Sequence, residues 1–317
     1  MRSILKTIKL AIAALSVCVI IAWLVGQILS DRYTFSQWLL WIPTPFAIAF
    51  ALVGSIALLP KKPANRLGKT QLGCCISIPI AIVIYFALLE HHFLSGASNT
   101  HTSFKVIHFN TVTATDHELE HLNNYILAQN ADLIVLTNPG NRRRYQALTE
   151  SYEADGNAFV VRPFRIFSRH EILESRLIVA NQGITVVLLR IDTSSMLGKP
   201  ITLYAVDLPS EPKISRMQTA KKLRNMLKDA NAPLPDIALG DFNMTRRGAA
   251  LKTAFPNLVH AFDQAGTGYG ATYPRKFPLF HIDHILLAQT LQAQTYQLIN
   301  PQAGRHRMQI AEIRTKP

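Results

Sequence analysis

Leu239-Gly240-Asp241-Phe242-Asn243 and Ile282-Asp283-His284-Ile285 decide how this chain is read. Each is a short apolar run that closes on polar residues. Gly, Asp and Asn favour turns, so each run reads as a strand delivering its acid to a sheet rim. Polar side chains at such rims are where sites in layered folds collect. Working outward, other apolar runs close the same way. His108-Phe109-Asn110 ends a strand over 104–109, Thr137-Asn138 follows one over 132–136, and Asp207 follows one over 201–206. Phe167-Ser168-Arg169 and Gly304-Arg305-His306-Arg307 are further polar strand ends, the second lying just before a strand over 308–313.

Between these runs the period changes. Residues 116–129 carry Leu119, Leu122, Ile126 and Leu127 on one helical side. Residues 214–230 read as a basic amphipathic helix with Met217, Leu223 and Met226 facing a core. Further strands are expected over 158–161, 165–167, 177–180, 184–191, 236–239 and 282–287. Arg142, Arg143 and Arg144, the tightest basic cluster, are expected at a solvated helix start. Alternating strands and helices predict an α/β fold: a layered sandwich of two packed mixed β-sheets with helices outside.

The first 94 residues differ in kind. Residues 11–29, 38–59 and 72–89 contain no charge. Each is long enough to cross a hydrocarbon core of about 30 Å, which predicts three transmembrane helices. The first run is too long for a signal-peptide core and no small-residue cleavage site follows it, so it reads as a retained anchor. Arg2, Lys6 and Lys9 precede the first run, Arg32 alone lies in the first loop, and Lys61, Lys62, Arg66 and Lys69 lie in the second. The positive-inside rule then puts the N-terminus in the cytoplasm and, after three crossings, the rest of the chain outside. For a cell with two membranes this is a multi-pass inner-membrane protein with a periplasmic C-terminal domain. Residues 95–103 read as a polar linker and 104–317 as one domain. Glu90, His91 and His92 are expected in the interfacial layer.

The whole chain of 317 residues is 49% hydrophobic and only 17% charged, which excludes a disordered chain. Its three cysteines (Cys18, Cys74, Cys75) lie in the apolar runs, excluding a disulfide scaffold or a cysteine-ligated zinc module beyond them. After residue 94 there are 25 Lys and Arg against 18 Asp and Glu, net +7. That charge suits phosphate-bearing partners, nucleic acid or lipid head groups beside the bilayer, and equally serves solubility.

In their order and spacing the strand-end motifs resemble the endonuclease/exonuclease/phosphatase superfamily, the deoxyribonuclease I-like fold, over residues 104–315. The resemblance implies phosphoester hydrolysis of the phosphodiesterase or nuclease type, with Mg2+ or Mn2+ as cofactor. It implies Asn110 as the amide that orders phosphate and metal, Asp241 as the water-activating acid, and Asn243 as the phosphate-contacting amide. It further implies Asp283 as the acid that orients His306, the His that donates to the phosphate. His284 is expected to be structural. Three positions depart from the family pattern. Asn138 stands where a metal-binding Glu is expected, Asp207 where a His is usual, and Arg305 where an acid precedes the last His. A neutral amide is a poor exchange for a carboxylate around Mg2+, so metal affinity is expected to fall, with Asp207, Asp241 and Asn110 as the remaining ligands. Two readings follow. One is a membrane-anchored hydrolase in which Asp207 restores a ligand, or Arg305, with Asn138 and Asp207, contacts the substrate phosphate. The other is an inactive relative without cofactor, a tethered module that binds a phosphorylated ligand or protein.

Overall fold

The computed structural model describes residues 2–60, 66–93, 103–140, 142–153 and 157–316. The chain forms two compact units, Met1–His92 and Phe93–Pro317. The expected linker lies almost wholly outside the described residues, as do Lys61 and Lys62.

The first unit is helical: α1 (Arg2–Leu29), α2 (Thr34–Leu40), α3 (Thr44–Leu58) and α4 (Arg66–Tyr85), the last continuing through a wider π-helical turn, Phe86–Glu90. The spans 3–32 and 66–90 are each long and apolar enough to cross a membrane. The expected second span over 38–59 is corrected: it is two helices bent by 70°. The cause is local. Pro43 lacks an N–H and disfavours helical backbone at the residue before it, so α2 stops, and Pro45 sits in the first turn of α3, where proline is tolerated. Pro79, inside α4, does not break its helix. Ala47, Ala51 and Gly54 face inward on α3. A Cβ on Gly54 would lie 2.6 Å from that of Ser16, so α1 and α3 approach at backbone distance, as small residues allow in apolar bundles. Trp23 Nε1 donates to Thr44 Oγ1 (3.1 Å), and Thr44 Oγ1 donates to Glu90 Oε1 (2.7 Å). Glu90 thus closes a polar chain within the bundle.

The second unit stacks two six-stranded mixed sheets. One runs β11-β12-β1-β2-β4-β3 and the other β5-β6-β7-β8-β10-β9. The strands are β1 (Phe104–Asn110), β2 (Leu133–Thr137), β3 (Ala158–Val161), β4 (Phe164–Ser168), β5 (Ile172–Asn181) and β6 (Ile184–Ile191). They continue with β7 (Ile201–Asp207), β8 (Ile237–Asp241), β9 (Leu258–His260), β10 (Asp283–Ala288), β11 (Leu291–Ile299) and β12 (Met308–Thr315). The helices are α5 (Asp116–Ala128), α6 (Gln146–Glu153), α7 (Ser194–Leu197), α8 (Arg216–Asp229), α9 (Ala249–Ala254) and α10 (Ala261–Ala265). Thr115 and Glu118 form a reciprocal capping box that starts α5. Arg142 to Arg144 fall in a single 3-10 turn, Arg142–Tyr145, that leads into α6.

Among the described residues only β1–β2 and β7–β8 are parallel pairs, and helices α5 and α8 respectively make those crossovers. The period of two along each strand then sorts side chains between layers. Val106, Leu203, Leu239 and Ile285 face the core between the sheets. Ile107, Phe109 and Ile310 pack on the other face of the first sheet. Tyr204, Val206, Ala238 and Phe242 pack on the other face of the second. Counting in twos from the inner residues, Asn110, Asp207, Asp241 and Asp283 all fall on the inner face, at strand ends. The fold therefore turns hydrophobic strands polar at one rim of the inter-sheet layer.

Candidate active site

Three acids stand in one row across the second sheet. Asp207 is in register with Asp241 across the parallel β7–β8 pair, and Asp283 with Asp241 across the antiparallel β10–β8 pair. Adjacent strands lie about 4.8 Å apart, so the carboxylates crowd together. Gly240 makes the row possible. Its φ is +148°, and a Cβ there would lie 1.8 Å from the Val206 carbonyl oxygen.

The first sheet supplies the amide. Asn110, at the end of β1, donates from Nδ2 to Asp241 Oδ2 (2.8 Å), and its Oδ1 accepts from the Val112 N–H (3.1 Å). The Asn243 N–H donates to Asp241 Oδ1 (3.1 Å), while its side-chain amide donates to the Leu208 carbonyl (2.9 Å). Asn243 thus meets the cluster through its backbone, at φ +49°. Both oxygens of Asp241 are fixed by donors.

His306 lies just before β12 and donates from Nδ1 to Asp283 Oδ2 (2.9 Å). Asp283 is fully buried and His306 is 4% exposed. Burial opposes charge on both, but their mutual attraction and hydrogen bond prevail. Asp283 is held below the usual carboxylate range and His306 above the usual imidazole value. Thr272 Oγ1 accepts from the backbone N–H groups of Ile282 and Asp283 (3.2 Å each), pinning the start of β10.

The other two acids behave oppositely. Burial, with Asp283 beside it, pushes Asp207 up to about 7 against the pull of His306. Asp241 is pushed up by burial, then by Asp283, with Asp207 adding and His306 opposing. Acids driven towards neutrality beside a charged Asp–His pair divide acid and base roles between neighbours.

The remaining expected residues stand further out. Arg305 donates from Nη2 to the Tyr273 hydroxyl (2.5 Å), with its guanidinium 5.4 Å from that ring's centre. Tyr273 in turn lies 5.0 Å from the His306 ring, so Arg305 is held at the edge of the cluster. Asn138 follows β2 with an exposed side chain and φ +53°. Its backbone is bonded on both sides, accepting from Thr111 Oγ1 (3.0 Å) and donating to the Pro163 carbonyl (2.9 Å).

Sequence reasoning gave no role to His108. It is fully buried and burial lowers it to about 4, partly countered by Asp283. Gln309 donates to its Nδ1 (2.9 Å) and its Nε2 donates to Thr137 Oγ1 (3.0 Å). Tyr296 donates to Gln309 Oε1 (2.5 Å). His108 thus links β1, β2 and β12 beneath the cluster as a neutral ring. Its spacing of two from Asn110 was the available signal.

The fold family's divalent ion finds suitable donors. Asp241 and Asp283 each offer a carboxylate oxygen within 4.8 Å of the other; His306, in the same cluster, is engaged with Asp283 and is not one of the ligands. Asp283 Oδ1 is buried without a hydrogen-bond partner among the described residues. A buried carboxylate oxygen left in that state is stabilised by a cation. Mg2+ commonly takes only one or two protein carboxylates, with water and substrate phosphate completing its shell, so Asp241 and Asp283 suffice as its protein ligands.

Solved structures share this fold. An endonuclease/exonuclease/phosphatase family protein from Bacteroides thetaiotaomicron aligns with TM-score 0.54 and 14% identity, covering 68% of this chain and 98% of that one. A mannosyl-6-phosphatase from the same organism aligns at 0.51 and 14%, covering 67% and 99%. A humanized D. rerio TDP2 carrying 14 mutations aligns at 0.50 and 17%, covering 68% and 100%. No curated protein matches the chain. Residues 97–306 match the Endonuclease/Exonuclease/phosphatase family. With about two thirds of its length so matched, and with that family's layered sheets carrying acids at their rim, the chain belongs to the endonuclease/exonuclease/phosphatase family.

Proposed function

We propose that the chain is a phosphoester hydrolase of the phosphodiesterase type, working at Asp241 and His306. The observation that carries this is the acid row Asp207–Asp241–Asp283, with Asn110 bonded to Asp241 and His306 to Asp283. Asp241, its affinity for a proton raised and its oxygens aimed by Asn110 and Asn243, takes the proton of the attacking water. His306, its affinity for a proton raised by Asp283 and with Nδ1 engaged, offers Nε2 to a phosphate oxygen and, when protonated, a proton to the leaving group. Arg305, tethered to Tyr273, adds a fixed positive charge for the phosphate. A divalent ion, when bound, neutralises developing phosphate charge. Asp207, Asp241 and Asp283 Oδ1 are the oxygens that would hold it.

Asp241→Asn keeps the shape of the side chain but removes its basicity. The expected result, in the full chain purified in detergent, is loss of about 10²–10⁴-fold in turnover of a generic phosphodiester. Unchanged turnover would contradict the assignment. The competing reading, a phosphate-binding module, draws on Asn138 standing where the family has a metal-binding Glu; it predicts binding of phosphate esters with no turnover.

We infer further that the first unit is embedded in a bilayer. Exposed Leu10, Ile28, Ile56, Leu67 and Leu88 on three helices are what lipid contact requires. The short α2, with Tyr33, Phe35, Trp38 and Trp41 around it, suits the interface, where aromatic rings concentrate. In this reading α1, α3 and α4 cross the membrane. The phosphoesterase unit then lies opposite the cytoplasmic N-terminus, where nucleic acid or lipid head groups outside the cell interior are its substrates.

A further inference from the structure

Behind the acid row lies a second cluster that the proposed chemistry does not use. His260, His281 and His284 are all buried, and one nitrogen from each lies within 4.8 Å of the others. Three rigid places supply them. His284 follows Asp283 on β10, so the alternation of the strand sends it to the opposite face of the sheet. There its ring packs on Phe242 at 5.3 Å. His260 ends β9, in register with Leu286 of β10, so it is the diagonal neighbour of His284. His281 precedes β10, in a loop pinned to the segment after β8. The Arg246 N–H donates to the His281 carbonyl (3.1 Å), and the Phe242 N–H to that of Ile282 (3.0 Å).

The protons can be placed. His284 Nε2 lies 2.8 Å from the Met244 carbonyl, which can only accept, so Nε2 carries the hydrogen. The lone pair of His284 is therefore on Nδ1, facing His260, whose Nε2 lies 2.6 Å away. An imidazole whose outer N–H is anchored on a backbone carbonyl, with its inner nitrogen bare, is the arrangement that metal-ligating histidines take. His260 stands nearly perpendicular to both others (81° and 89°), while His281 and His284 stack at 18°, with all centroids 4.7 to 5.0 Å apart. Arg246, the cation beside the cluster, is paired with Asp263 (2.5 Å), which offsets its charge. An open cleft with Arg246, His260 and Asp263 in its walls gives access from solvent.

We propose that His260, His281 and His284 form a site for a divalent transition metal of the imidazole-preferring class, with zinc as the physiological choice, separate from the oxygen-lined cleft. The donor set is all nitrogen, which suits Zn2+, Cu2+ or Ni2+ and not Mg2+. The ion replaces the hydrogen bond between His260 and His284. The His260 proton moves to its Nδ1, so three neutral ligands bind without net proton release. The metal ties β9, β10 and the loop before β10 together, directly behind Asp283.

The test uses the full chain in detergent, stripped of metal and then given Zn2+ alone. After gel filtration, elemental analysis is expected to find one bound Zn2+ in the wild type and in Asp241→Asn. His281→Gln, folded by circular dichroism, is expected to lose it. Zinc should raise the melting temperature by several degrees in the first two proteins and not in the third. Should His281→Gln fail to fold, X-ray absorption at the zinc edge of the wild-type protein decides, and a shell of three imidazole nitrogens is expected. Absence of bound zinc in the wild type, its retention in folded His281→Gln, or a shell of oxygens would each overturn the proposal.

Discussion

Asp207 carries a cost that its place at the end of an apolar run does not announce. The notional role was a metal ligand in place of a histidine. Its surroundings explain what it costs the fold when no cation is present. A carboxyl at about 7 in the folded chain, against an ordinary aspartate value of 3.8, keeps a proton that the unfolded chain releases. Stability is therefore lost as pH rises through that window, and is not lost below it. Asp207→Asn removes the penalty. In EDTA the variant is expected to match wild type near about pH 4 and to exceed it above about pH 7, by up to about 4 kcal/mol. Urea melts at the two pH values measure this, and a pH-independent difference would contradict it. Asp241, Asp283, Asn110 and His306 were legible as a set only because the order and spacing of their motifs resemble the family's; taken singly, an Asp or Asn at the end of an apolar run is also an ordinary turn former. The hydrogen bond from His306 to Asp283 joins residues far apart in the chain, and only the resemblance anticipated it. The histidine cluster was not legible, because the diagonal pairing of β9 with β10 has no local trace.

At the scale of the element, the strands buried on both faces were legible as continuous apolar runs, as the parallel pairs require. β11 was not. Its sequence, LQAQTYQLI, alternates until a bulge between Ala293 and Thr295 shifts the register, which breaks the period of two. β5 is longer than its apolar stretch suggested, because it is an exposed edge strand with two such irregularities. β9 has three residues, too few to show a period. Gly240, within β8, is the most demanding position of the site. A Cβ there meets the Val206 carbonyl and neighbouring backbone that cannot move without parting β7 from β8. Gly240→Ala is expected to destabilise the chain by more than about 3 kcal/mol or to prevent folding, while Gly73→Ala, with nothing within 4 Å of its Cβ, is expected to be tolerated. Thermal melts of the two variants read this, and a Gly240→Ala protein as stable as wild type would contradict the close approach.

For the whole molecule, the apolar N-terminal unit was legible from composition, but the number of crossings was not. Prolines that a membrane helix can absorb end α2 here, because Pro43 leaves no donor to carry the helix onward. Whether the bent pair crosses the membrane or re-enters decides the side on which the second unit lies. The aromatic surround of α2 and the close packing of α1 on α3 support three crossings. A C-terminal alkaline-phosphatase fusion is then expected to be active and a C-terminal green fluorescent protein fusion dark. The reverse pattern would place the second unit in the cytoplasm. Net charge of +7 after residue 94 suits an anionic substrate on either side.

The central claim is that the acid row and its histidine form a working hydrolytic centre despite Asn138. The initial rate of the detergent-purified full chain on a generic phosphodiester, in Mg2+, in Mn2+ and after EDTA, tests it most directly. The account predicts turnover with at least one of the two ions and its loss on chelation. A folded, homogeneous protein that turns over nothing in any of the three conditions would contradict it.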